Sequence, residues 1–247
     1  AKNHRVVTFD SRGFGNSSKP LHGNDVERHA DDIKELIDYL DLHNVIMIGW
    51  SLSGSVVVTY THKYQAYRMK ALGILDGCLF PFSPESWNSY NSRNYNMDDW
   101  NQKYRLWYTD NTQYIENFVN RVKDGLSEEE VEMVRQEIGK TPPWIGFALH
   151  SDWCHTDCAK LLPEITVPVI FITAYDEYAL KAFKYQGIDY ILKPFDKDEL
   201  MNALSKLDSL SATNAPFPAA SLTVYQERFL VTVGTKMKSV AIGDVAY

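Results

Sequence analysis

The 247-residue sequence has few cysteines, a shortage of basic residues and no long apolar run. Three cysteines, an odd number, exclude a disulfide-stapled scaffold. Lys and Arg total 25 against 32 Asp and Glu, a net charge of −7 that argues against nucleic acid or an anionic membrane as the main partner. Apolar runs such as Val167–Thr173 fall well short of the about 20 residues that a bilayer span needs. Since no leader pattern opens the sequence, we expect a cytoplasmic protein.

Hydrophobic residues make up 45% of the chain and charged residues 23%, enough for a large buried core. In the first third, short apolar runs alternate with segments of helical periodicity, which is typical of a mostly parallel, doubly wound α/β sheet. The predicted strands are Arg5–Phe9, Val45–Ile48 and Met69–Leu75, and the predicted helices are Glu27–Leu40 and Ser55–Tyr67.

Residues 78–143 are rich in aromatic side chains and contain no buried-strand pattern. Amphipathic helices are predicted for Tyr114–Lys123 and Glu128–Ile138, the second with Ser127 and Glu130 as a capping box. The segment is therefore a predicted helical cap inserted into the sheet domain. Its aromatic residues could line an apolar acyl pocket or pack a lid helix against the sheet, and the second reading is favoured.

The last third begins with a return to the α/β pattern and ends differently. The predicted elements are strands at Val167–Thr173 and Tyr190–Leu192 and helices at Tyr178–Gln186 and Lys197–Leu207. Residues 209–220 are a Ser/Ala/Pro/Asn linker, and residues 221–247 alternate as a small β segment. We therefore expect a sheet domain over residues 1–208, the linker, and a short C-terminal β segment.

Three separated segments resemble the α/β-hydrolase family over residues 1 to about 172. Residues 49–54 read Gly-Trp-Ser-Leu-Ser-Gly between a strand and a helix, close to the G-x-S-x-G nucleophile elbow except that Ser53 replaces the second glycine. Residues 10–17 and 161–170 are similar to the family's loop after the fourth strand and its approach to the seventh. The resemblance implies Ser51 as nucleophile, the N–H of Leu52 as an oxyanion donor, and small esters or related acyl compounds as substrates, without a cofactor.

The same resemblance implies that parts of the site are missing. The family's first three strands and a second oxyanion donor would precede Ala1, and both ends of the chain look like cuts through structure. The family's triad runs Ser, acid, His, yet His155 is the last histidine. Asp176 lies near the acid's usual position. Lys193 falls roughly where the histidine belongs, but a lysine is protonated at neutral pH and is a poor base. We expect the chain to be inactive as it stands.

Residues 167–208 resemble the second half of a response-regulator receiver domain, and residues 221–247 the opening strands of a LytTR-type DNA-binding domain. This resemblance implies Thr173 as the switch hydroxyl and Lys193 as the phosphate-binding lysine. The acidic Mg²⁺ pair and the phosphorylated aspartate belong to receiver strands that the sequence lacks. The truncated tail carries few basic residues, so DNA binding is not expected.

A dense group of possible ligands suggests a zinc site, namely His150, Asp152, Cys154, His155, Asp157 and Cys158. No second ligand pair lies elsewhere at a usual spacing. Free cysteines are usually small core residues, so no metal site is expected. Two further readings stay open beside the serine hydrolase: a fragment of a phospho-regulated LytTR-type transcription factor, and a non-natural fusion without function.

Overall fold

The computed structural model describes residues 4–82, 97–173, 187–213, 228–233 and 236–241. Contacts divide the chain into two compact units, Ala1–Phe217 and Pro218–Tyr247. The first unit holds the sheet and its helices. None of the helices in these ranges is long and apolar enough to cross a bilayer.

Four parallel strands form the sheet of the first unit, in the order in which they occur in the chain. They are β1 (Val45–Trp50), β2 (Met69–Leu75), β3 (Val169–Thr173) and β4 (Gly187–Leu192). Continuous apolar runs such as that of β3 suit a parallel strand covered on both faces. The predicted α/β class with a mostly parallel sheet is confirmed.

Helices α1 (Val26–Tyr39) and α2 (Ser53–Lys63) pack against one face of the sheet, where their apolar residues share a core with Met47 and Leu72. Asp25 caps α1 by accepting a hydrogen bond from the N–H of Arg28 at 2.7 Å. Helix α7 (Lys197–Thr213) packs on the other face, where Ala203 meets Ile170 and Ile191. On that second face, the alternate residues of β1 are open to solvent.

Between β2 and β3 the chain forms a helical insertion with a buried aromatic centre. Its helices are α3 (Met97–Thr109), α4 (Asn111–Val122) and α5 (Glu128–Gly139), and α6 (Pro143–His155) with a 3-10 turn (Ala159–Glu164) leads back to the sheet. The capping box of Ser127 and Glu130 is confirmed. Four aromatic residues, Trp100, Tyr104, Trp107 and Tyr114, are buried and connected by ring contacts through Tyr104 and Trp107. These side chains therefore fill space rather than enclose it.

Several predicted boundaries are wrong. Arg5–Phe9 forms no strand and is exposed, because β-propensity alone does not supply a neighbouring strand to pair with. Helix α2 begins at Ser53 rather than Ser55, directly after the turn that contains Ser51. Helix α7 extends to Thr213, into the first residues of the predicted linker. The predicted helix Tyr178–Gln186 lies outside the described residues.

The second unit contains a two-stranded antiparallel ribbon of β5 (Arg228–Val233) and β6 (Lys236–Ala241). Both strands fall within the segment predicted as a small β region. The connection between them is short, as expected for a hairpin.

Candidate active site

The chain turns sharply after β1, and Ser51 sits at that turn with φ +55°, in the left-handed region that non-glycine residues rarely adopt. Its N–H donates to the carbonyl oxygen of Leu75 at 2.8 Å, which fixes the turn to the end of β2. A side chain at Gly49 would place its Cβ 2.4 Å from the carbonyl oxygen of Ser53. The turn therefore requires glycine two residues before the serine, and it leaves Ser51 exposed.

The replacement of the motif's second glycine by Ser53 has a simple steric explanation. Ser53 is exposed, so its side chain meets no crowding at this position. The close approach falls one residue later, where a Cβ on Gly54 would lie 3.3 Å from the Cα of Gly77. The small residue that lets α2 pack against the end of β2 is therefore Gly54.

The start of α2 leaves one backbone donor available beside Ser51, the N–H of Leu52. The N–H of Gly54 donates to the carbonyl oxygen of Ser51 at 2.9 Å, and that of Ser55 to Leu52 at 3.0 Å. Within the described ranges the N–H of Leu52 has no hydrogen-bond partner. A free N–H at a helix N-terminus can stabilise a developing oxyanion.

All seven histidines are described, and none of them hydrogen-bonds the Ser51 hydroxyl within these residues. His29 is buried with no partner on Nε2, and burial lowers its pKa. His150 lies among aromatic rings with Nδ1 on the carbonyl oxygen of Gly146 at 2.9 Å, and burial lowers its pKa to about 4. His43, His62 and His155 bond Asp41, Glu164 and the carbonyl oxygen of Ser151.

The carboxyl ends of the four strands bring four polar residues to one edge of the sheet. Ser51 follows β1, Asp76 follows β2, Thr173 ends β3 and Lys193 follows β4. The amine of Lys193 donates to the carboxylate of Asp76, and its N–H donates to the carbonyl oxygen of Thr173 at 2.8 Å. The amine of Lys193 is therefore engaged with Asp76 rather than with the Ser51 hydroxyl.

Asp76 is the residue of this edge that sequence reasoning missed. Its only signal is its place directly after β2, in the Asp-Gly pair that ends the strand. Like Ser51, it has a positive φ, at 47°. Asp176, the residue expected near the acid's position, lies outside the described residues.

The cysteines and histidines of α6 and its flank form no metal centre: within the described ranges, no three His, Cys, Asp or Glu side chains are placed to hold an ion. Cys154 and Cys158 are both buried. Burial raises the pKa of the Cys154 thiol to about 12, which keeps it protonated at neutral pH. These are core residues.

Residues 1–139 match the family model of the alpha/beta hydrolase fold, a range that includes the Ser51 turn. The chain belongs to the α/β-hydrolase fold family. The AB hydrolase superfamily protein YisY of Bacillus subtilis is 30% identical over 95 residues, which are 38% of this chain and 35% of that protein. The esterase EaEST of Exiguobacterium antarcticum has a TM-score of 0.66 at 19% identity, covering 83% of this chain and 80% of the esterase. At that identity the esterase shows a shared fold only.

A relative of another kind also matches. The sensory transduction protein LytT of Bacillus cereus is 32% identical over 97 residues, which are 37% of this chain and 39% of LytT. The chain thus spans between about a third and two fifths of the length of these two curated relatives.

Proposed function

We propose that this chain carries the nucleophile of a serine hydrolase for small esters or related acyl compounds, and that it is inactive in turnover as it stands. The observation that carries the proposal is the backbone of Ser51, exposed at φ +55° between β1 and α2. The left-handed conformation costs a serine roughly 1–2 kcal/mol and lifts its hydroxyl clear of the sheet edge. The free N–H of Leu52 supports the role of oxyanion donor.

The proposed inactivity rests on the absence of a base at the Ser51 hydroxyl among the described residues. Attack on an ester requires the hydroxyl proton to be accepted, and among the described residues no histidine is hydrogen-bonded to that hydroxyl. Lys193 shares the sheet edge but is paired with Asp76. Loss of one triad member typically lowers turnover by about four to six orders of magnitude. The proposal therefore predicts that Ser51 can be labelled covalently although the chain does not turn over an ester.

The test combines an activated-ester assay with labelling by a fluorophosphonate, a reagent that phosphonylates serine nucleophiles. We expect hydrolysis at the uncatalysed rate together with slow phosphonylation of Ser51, located by peptide mass spectrometry. Ser51→Ala should abolish the label, and Ser53→Ala, two residues along the same turn, should retain it. Phosphonylation elsewhere, or none, would contradict the nucleophile. Turnover lost on Ser51→Ala would contradict the proposed inactivity.

A second candidate function is a fragment of a LytTR-type response regulator, which the similarity to LytT supports. Thr173 and Lys193 would then be the switch hydroxyl and the phosphate-binding lysine. Salt-sensitive binding to duplex DNA, measured by fluorescence anisotropy, would favour this candidate. If the chain shows neither phosphonylation nor DNA binding, the remaining reading is a non-natural fusion without function.

We propose a small-molecule ester or acyl compound as the partner if any activity is present, and the cytoplasm as the location. The location is supported by the three cysteines, which are buried and form no disulfide bond. Thiols of this kind are the norm in a reducing compartment.

A further inference from the structure

The segment that follows β2 packs directly against the Ser51 turn. A Cβ on Gly77 would lie 3.4 Å from the carbonyl oxygen of Ser51 and 3.5 Å from the Cα of Gly54. That carbonyl oxygen accepts a hydrogen bond from the N–H of Gly54 at 2.9 Å, which joins the turn to α2. Because backbone meets backbone at these glycines, a shift of the segment after β2 also shifts the Ser51 turn.

The carbonyl oxygen of Cys78, the next residue in this segment, accepts hydrogen bonds from two side chains of other elements. The indole N–H of Trp153 in α6 donates to it at 2.9 Å, and the hydroxyl of Ser55 in α2 donates at 3.4 Å. Trp153 and Cys78 are 4% and 5% exposed, and Ser55 is fully buried. A buried hydrogen bond is costly to lose, and the shorter one, from Trp153, is the stronger of the two.

We propose that Trp153 is a positioning residue for Ser51, acting through the carbonyl oxygen of Cys78 and the backbone of Gly77. The inference rests on the nucleophile proposed for Ser51. Trp153 and Cys78 are 75 residues apart in the chain, so the bond ties the end of the helical insertion to the Ser51 turn. Without the indole N–H, the segment after β2 is held less firmly, and the turn that it supports becomes less rigid.

Trp107 provides a matched comparison for Trp153 within the same aromatic cluster. The ring of His150 lies between the two indoles, with centroids 6.0 Å from Trp153 and 5.1 Å from Trp107. Trp107 is 3% exposed, and its Nε1 has no hydrogen-bond partner among the described residues. The two indoles are therefore buried alike, but it is Trp153 that donates to the segment after β2.

Amide hydrogen exchange of the full chain tests the positioning without reference to activity. Trp153→Phe should speed exchange of the Gly54 N–H about tenfold relative to the Leu72 N–H, since a lost buried bond favours local opening. The Leu72 N–H donates to the carbonyl oxygen of Pro168 at 2.9 Å within the sheet, so it reports global unfolding. Trp107→Phe, the control, should leave this ratio of rates unchanged. Equal ratios in the two variants would overturn the proposal.

An isostere separates the role of the N–H from the packing of the ring. Replacing Trp153 with β-(3-benzothienyl)alanine puts sulfur in place of the N–H at nearly unchanged volume. This replacement should raise the exchange ratio as Trp153→Phe does. A ratio unchanged from that of the unsubstituted chain would assign the effect to ring packing and would overturn the proposal.

Fluorophosphonate labelling shows whether the positioning acts on the nucleophile itself. With the isostere at Trp153, we expect the phosphonylation rate of Ser51 at saturating reagent to fall about tenfold, with the half-saturating concentration unchanged. Trp107→Phe should label like the unsubstituted chain. A rate that the isostere leaves unchanged would overturn the positioning of Ser51. A chain that is not labelled at Ser51 would contradict the proposed function instead, and the exchange ratio then decides the positioning alone.

Discussion

Different interactions fix the polar residues at the two ends of the sheet's carboxyl edge. At the β1 end, Gly49, Gly54 and Gly77 bring backbone to within contact of backbone, and the position of Ser51 follows from that packing. At the β4 end, Lys193 is held by an ion pair between side chains that are 41% and 31% exposed. One end depends on the course of the main chain and the other on the identity of single side chains.

On the proposed function, this difference explains how the turn at Ser51 persists although the described residues place no base at its hydroxyl. Any change that disturbs the packing at Gly49 alters the fold itself, whereas the side chain after β4 can change with little structural cost. The geometry at Ser51 therefore follows from the fold that the chain shares with its family. It is not evidence of turnover, which needs a particular group at the far end of the edge.

Gly49→Ala is the substitution with the largest expected effect on stability. If it left stability unchanged, the position of Ser51 would not depend on close packing of the backbone. Its Cβ would lie 2.4 Å from the carbonyl oxygen of Ser53 and 2.6 Å from Cγ2 of Val57. Because a backbone atom must move, we expect a loss of about 3 kcal/mol in the free energy of unfolding, measured by urea denaturation.

The matched control is Gly73→Ala on the adjacent strand β2. There the new Cβ would lie 3.4 Å from Cγ1 of Ile48, an ordinary contact on the open face of the sheet. Stability should stay the same or rise slightly, since alanine is preferred to glycine within a strand. Equal losses for both variants would show that the turn carries no special constraint.

Ser51→Gly has a smaller effect of opposite sign. Glycine adopts a φ of +55° without the strain that serine experiences there, so we expect the free energy of unfolding to rise by about 1 kcal/mol. The same replacement at Ser53, the first residue of α2, should lower it by about 0.5–1 kcal/mol, because glycine is unfavourable in a helix. If both variants lose stability, Ser51 is not strained.

Sequence patterns predict the parts of the fold that local chemistry determines. The Ser127 capping box and the strand Met69–Leu75 are confirmed as predicted, because each depends on residues close together in the chain. Arg5–Phe9 has the composition of a strand but forms none, since pairing depends on a neighbour that composition does not reveal.

In the candidate site too, local features can be predicted from the sequence and long-range contacts cannot. The motif around Ser51 is visible in six consecutive residues. The pairing of Lys193 with Asp76 joins positions 117 residues apart, and nothing in either local sequence indicates it. The two residues come close because β2 and β4 are the two neighbours of β3 in the sheet, which the local sequences do not reveal.

The smallest expected effect concerns that pair. Because both side chains are partly exposed, the ion pair should contribute only about 0.2–1 kcal/mol. A double-mutant cycle of Lys193→Met and Asp76→Asn, measured by urea denaturation at low and high salt, gives the coupling directly. We expect a small coupling that salt reduces further. A coupling of several kcal/mol, insensitive to salt, would mean that the β4 end is fixed as firmly as the elbow. The contrast between a serine position fixed by the main chain and a replaceable side chain after β4 would then fail, because changing that side chain would cost the fold as much as losing the turn.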